Sequence, residues 1–117
     1  MTKNQFTVKD SFSFAKDITE QDTMCFMSSF DIDSLFTNIP LDETINICCD
    51  TLFNSCTKVE GLTKSQLRDL LYLVTKDSFR LFNGQYYSQV DGVAMGSPLG
   101  PTLANIFLCH HERLWLE

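Results

Sequence analysis

The stretch Gly92-Val93-Ala94-Met95-Gly96-Ser97-Pro98-Leu99-Gly100-Pro101-Thr102-Leu103-Ala104-Asn105-Ile106-Phe107-Leu108 decides how the rest of the chain is read. Gly92, Gly96 and Gly100 recur every fourth residue, Pro98 and Pro101 lie among them, and an apolar run follows. Glycine admits backbone angles and close approaches that a β-carbon forbids. Proline is tolerated in the first turn of a helix, where its missing N–H has no partner to lose. The pattern predicts a tight loop whose backbone something large can approach, then a helix starting between Ser97 and Pro101. The plainer reading is an ordinary Gly/Pro loop ahead of a helix. A second stretch, Phe30-Asp31-Ile32-Asp33-Ser34-Leu35-Phe36, bears on that choice.

Working outward, residues 79–82 and 85–90 flank Asn83-Gly84. Asn-Gly is the strongest short signal for a two-residue type I′ turn, so a β-hairpin is expected. Thr63-Lys64-Ser65-Gln66 matches a capping box. The helix behind it should run to about Lys76 and bury Leu67, Leu70, Leu71 and Val74. Residues 37–43 read as another helix start. Thr37 or Asn38 can cap, Pro40 suits the first turn, and Asp42 and Glu43 suit the positive end of the helix dipole. Its apolar side is Leu41, Ile45, Cys48 or Cys49, and Leu52, reaching about Asn54. Residues 54–61 form a polar loop. A further helix is expected over 8–19 from Val8, Phe12, Ala15 and Ile18, and the last helix continues from Phe107 through Leu114 and Trp115. Residues 23–32 are rich in strand formers, with no Gly or Pro, and predict a central strand buried on both faces. The sum is an α+β pattern, a small antiparallel sheet packed against helices.

The chain has 117 residues, enough for one domain with one core. Its 44% hydrophobic and 21% charged content fits a folded protein rather than a disordered one. No apolar run approaches the ~18 residues of a membrane span, and the N-terminus lacks the apolar core of a signal peptide. No membrane association and an intracellular setting, nucleus or cytoplasm, are therefore expected. Five cysteines without a C-x-x-C spacing indicate neither a disulfide framework nor a zinc knuckle. Cys109, His110 and His111 are adjacent on one helix and cannot all face one ion. The net charge of −6 makes the chain a weak sequence-independent nucleic-acid binder, because phosphate contacts need Lys and Arg.

Asp31 and Asp33 stand two residues apart. In an extended chain both carboxylates share one face and Ile32 points to the other, into the core. Hard divalent cations take oxygen ligands, and Mg²⁺ is held by one or two carboxylates together with substrate phosphates. Asp31 can equally cap a turn, with Asp33 merely exposed. Phe36 just beyond can floor a sugar pocket or staple the next helix.

Ser29-Phe30-Asp31-Ile32-Asp33-Ser34-Leu35-Phe36-Thr37-Asn38-Ile39-Pro40 resembles the first catalytic motif of reverse transcriptases, in wording most like those of Penelope-like retroelements. Residues 92–108 resemble the second motif of the same family, a loop and helix that contact nucleotide and template. The order of the motifs and the intervening hairpin agree, and the resemblance covers about residues 10–117. It implies a partial right-hand polymerase palm and an RNA-directed DNA polymerase that performs nucleotidyl transfer with Mg²⁺ or Mn²⁺. RNA template, DNA primer and dNTP are the implied partners of the full-length family. Asp31 would be a catalytic, metal-binding aspartate, and Ile32 would offer its backbone carbonyl to the metal and nucleotide. Phe36 would be the gate that rejects a ribose 2′-hydroxyl. Met95 and Gly96 would lie against the nascent base pair. Met95 stands where many reverse transcriptases carry Gln, and a thioether can only pack there. Asp33 shares the face of Asp31 without being a family ligand.

The family also needs a later hairpin with paired aspartates, and no Asp follows Asp91 here. The fingers start and the thumb are missing as well, so residues 1–117 read as a fragment, inactive alone. The competing expectations are a non-catalytic retroelement remnant that binds protein, if anything, and an unrelated Mg²⁺-dependent nuclease or phosphatase built on Asp31 and Asp33.

Overall fold

A computed structural model of the chain describes residues 5–21, 24–54, 56–76 and 78–116. Among them, five helices and one hairpin follow in order: α1 (Ser11–Thr19), α2 (Leu35–Asn38), α3 (Leu41–Phe53), α4 (Lys64–Lys76), β1 (Phe79–Phe82), β2 (Gln85–Ser88) and α5 (Gly100–Leu116). The class is α+β, with a two-stranded antiparallel sheet. α3 packs against both α4 and α5, and α2 touches α5.

Several elements form where local chemistry dictates. The capping box closes reciprocally: Thr63 N–H donates to Gln66 Oε1 at 3.0 Å and Gln66 N–H to Thr63 Oγ1 at 3.4 Å. α4 ends at Lys76 as expected. Asn83 and Gly84 have φ of 49° and 75°, both left-handed, as a type I′ turn requires. Phe79 pairs with Ser88 and Phe82 with Gln85 around it. Helix α5 begins at Gly100 with Pro101 in its first turn. Leu41, Thr44, Ile45, Cys48 and Cys49 give α3 its buried side. Ile39, Leu41, Val93, Leu103 and Ala104 form the core cluster, with Leu35, Phe36, Leu99 and Phe107 packed around it.

Other expectations need correction. Residues 24–32 form no strand, and Thr23 lies outside the described residues. Met24, Phe26, Met27 and Phe30 are 79% exposed or more, and Ile32, expected in the core, is 43% exposed. A strand exists only against a hydrogen-bonded neighbour, and among the described residues none lies alongside this segment. The hairpin is likewise exposed along both strands rather than packed against helices. Helix α1 starts at Ser11, not Val8, because the Asp10 side chain caps it by accepting from Ser13 N–H at 2.8 Å. None of its residues is buried. Thr37 and Asn38 do not cap α3; they belong to the single turn of α2, and Pro40 occupies the N-cap position. Leu70 and Val74 of α4 are half exposed, whereas Thr75 is buried. The buried side of α4 is rotated towards Leu67, Leu71 and Thr75, because among the described residues its helical neighbour is α3. Leu114 and Trp115 of α5 are exposed.

Polar side-chain contacts tie the helices at their surface. Lys76 Nζ lies 2.7 Å from Asp42 Oδ1, joining α4 to the start of α3. The Lys76 ammonium, and after it the Tyr72 hydroxyl, hold the Asp42 carboxyl below the usual aspartate range. His111 Nε2 lies 3.0 Å from Glu43 Oε1 and joins α5 to α3. Burial, and secondarily the neighbouring Cys49, pushes the Cys48 thiol up.

Candidate functional site

Ser34 turns the chain. Its backbone is left-handed, with φ of 50°, and it starts the one-turn helix α2. Thr37 Oγ1 and Thr37 N–H both return to the Ser34 carbonyl, at 2.9 and 3.1 Å. Asn38 Nδ2 reaches the Asp33 carbonyl at 3.2 Å. This knot turns Leu35 and Phe36 onto the core cluster while Asp31 and Asp33 stay exposed.

The glycine loop docks onto that turn. Val93 N–H donates to the Phe36 carbonyl at 2.7 Å. Gly92 adopts φ of 76°, and a β-carbon there would come within 2.7 Å of Thr37 Cα. Only glycine fits this approach. Gly100 lies against Phe36, where a β-carbon would sit 3.6 Å from the ring. Between them, the loop makes tight turns through Ser97 N–H to the Ala94 carbonyl and Gly100 N–H to the Ser97 carbonyl, both at 3.0 Å.

The result is a cavity of about 250 Å³ lined by Phe36, Ala94, Met95, Gly96, Ser97, Gly100 and Pro101. Of the residues singled out from sequence, Phe36, Met95 and Gly96 therefore share one hollow. Asp31, Ile32 and Asp33 do not line it. Asp31 Oδ1 accepts from Ile32 N–H at 2.9 Å, and Asp33 Oδ1 accepts from the Ser34 hydroxyl at 3.1 Å. Asp31 does not end a strand, because residues 24–32 form none. Among the described residues no three His, Cys, Asp or Glu side chains gather to hold a metal ion. Asp31 and Asp33 alone offer too few side-chain ligands for a resident metal ion.

The hollow's walls are an aromatic ring, a thioether, proline and bare backbone, with Ser97 as the only hydroxyl. Such walls hold a flat or sugar-sized group by shape and dispersion rather than by charge. Sequence reasoning missed two residues that fix the loop. Arg80 of β1 donates from Nη2 to the Met95 carbonyl at 3.1 Å. Asp91 Oδ1 accepts from Gly92 N–H at 2.8 Å and from Leu41 N–H at 3.3 Å. One signal for Asp91 was present: it is the sole full charge between Arg80 and Glu112. Compared with protein-family models, with curated proteins and with solved structures, the chain matches none.

Proposed function

We propose that this chain carries part of a reverse-transcriptase-type palm, and that the hollow beside Phe36 takes the sugar and base of a nucleotide. The observation that supports this most is the docking of two stretches distant in sequence. Gly92 presses against Thr37 and Val93 N–H bonds the Phe36 carbonyl, so Phe36, Met95 and Gly96 surround one space. Residues 29–40 resemble the first catalytic motif of reverse transcriptases and residues 92–108 the second, nucleotide- and template-contacting one, and a palm needs the two to meet. In this reading Phe36 sets the clearance under the sugar and Met95 packs on the base.

The Mg²⁺ or Mn²⁺ that the resemblance implies needs donors beyond Asp31 and Asp33, as would RNA-directed DNA synthesis on an RNA template and DNA primer. The 117 residues contain no Asp-Asp pair. Binding without turnover is therefore the activity proposed. Titration of the protein with dATP, followed by nuclear magnetic resonance of the Met95 methyl and the Phe36 ring, tests it. Saturable shifts at both groups in the millimolar range, about −4 kcal/mol, are expected, with the Met95 methyl shift lost in Phe36→Ala. No shift in the intact protein would overturn the reading. Primer extension with Mg²⁺ should give no product, and robust incorporation would refute binding without turnover.

A second reading is favoured by the exposed apolar surface. Met24, Phe26, Met27 and Phe30 and both hairpin edges lie open, as in a protein-binding remnant with no catalytic role. It predicts no dATP response.

A further inference from the structure

We infer that Asp91 is the positioning residue of the site, a single carboxylate oxygen that clamps the glycine loop to the start of α3. The inference rests on the palm reading only for what the loop holds; the clamp itself stands on geometry. Helix α3 has no side-chain cap of its own, because Pro40 occupies the N-cap position. Proline has neither a side-chain acceptor nor an N–H. The first N–H of that helix, on Leu41, is met instead by Asp91 Oδ1, fifty positions away in the chain. The same oxygen accepts from Gly92 N–H at 2.8 Å. A negative charge at this end also suits the helix dipole.

Asp91 is itself held. Gln89 Nε2 donates to its carbonyl at 2.9 Å, and Gln89 N–H donates to the Ser78 carbonyl at 3.2 Å, which anchors the segment to the base of the hairpin. Immediately after Asp91, Gly92 meets Thr37 and Val93 bonds Phe36. If the carboxylate is removed, two N–H groups lose their partner at once. The loop then loses its register against the Phe36 turn, and the wall formed by Met95 and Gly96 moves with it. Asn keeps an oxygen in the same place, so geometry rather than charge should decide the outcome.

Amide hydrogen exchange on the full chain tests this. Asp91→Ala should speed exchange at Leu41 and Val93 about tenfold, the loss of one helix cap. Asp91→Asn should stay within about threefold of the unaltered protein, since an acceptor remains. Apparent dATP affinity should fall in Asp91→Ala by the same factor as the closed loop is depopulated, and recover in Asp91→Asn. Unchanged exchange at Val93 in Asp91→Ala, or Asp91→Asn no better than Asp91→Ala, would overturn the clamp. If Asp91→Ala does not fold, Asp91→Ser takes its place, its hydroxyl being too short to reach Leu41. Failure of the unaltered protein to bind dATP would remove the palm reading and leave the exchange result to decide the clamp.

Discussion

Replacing Gly92 by Ala should be far more damaging than replacing Gly61, although both glycines are left-handed with nearly equal φ, 76° and 78°. The backbone cost of placing a β-carbon in that region is roughly 1–2 kcal/mol and is common to both sites. At Gly61 nothing lies within 4 Å of the added carbon. At Gly92 it would fall within 2.7 Å of Thr37 Cα and 2.6 Å of the Thr37 carbonyl carbon, both backbone atoms. Neither can swing aside as a side chain could, so the loop must lift. Overpacking of this kind costs about 1–3 kcal/mol. Lifting also stretches the Val93 to Phe36 hydrogen bond, worth about 1 kcal/mol. The difference between the two variants should therefore be about 2–4 kcal/mol, a large part of the roughly 5–15 kcal/mol that holds a domain together. Urea unfolding reads it directly. With a slope near 2 kcal/mol per molar, the Gly92→Ala midpoint should lie about 1–2 M below that of Gly61→Ala. Midpoints that agree within about 0.5 kcal/mol of stability would refute the docking of loop on turn, and with it the shared hollow.

Acid should unfold the protein partly through Asp42. Its folded-state carboxyl is held below the usual range by Lys76 and Tyr72, so the unfolded chain takes up the proton first as pH falls. The contribution is present above the ordinary aspartate range, about pH 4, and is lost as pH falls through the depressed value. Asp42→Asn should flatten that acid limb of a stability profile below about pH 5 and leave the region near neutrality less stable than before. The cysteines should divide by burial. Cys25 and Cys56 are exposed, whereas Cys48 and Cys49 are buried and burial pushes both thiols up. Iodoacetamide on the native protein should alkylate Cys25 and Cys56 and reach Cys48 and Cys49 only after unfolding, which peptide mass mapping can read.

How legible the fold was depended on how far each signal reached along the chain. The Asn83-Gly84 turn, the Thr63–Gln66 capping box and the start of α5 each involve residues within four positions of one another. Sterics and local hydrogen bonds determine such features, whatever surrounds them. The same residue types misled where a distant partner was required. Residues 24–32 carry strand-forming side chains, yet a strand needs a neighbour, and the segment stands exposed with none among the described residues. Pro40 looked like a first-turn residue, whereas the cap of α3 comes from Asp91, fifty positions on.

The site divides in the same way. Its ingredients, Phe36 and the glycines of the loop, were visible in the residues themselves, because only a few residue types permit such turns and close approaches. That Phe36, Met95 and Gly96 should enclose one hollow while Asp31 stays outside its walls was settled by tertiary contacts. Gly92 against Thr37, Val93 N–H on the Phe36 carbonyl and Asp91 between two backbone amides are encounters between separate parts of the chain. Local propensity carries no information about such encounters; they exist only once the core around Ile39, Val93 and Leu103 has closed and brought those backbones together.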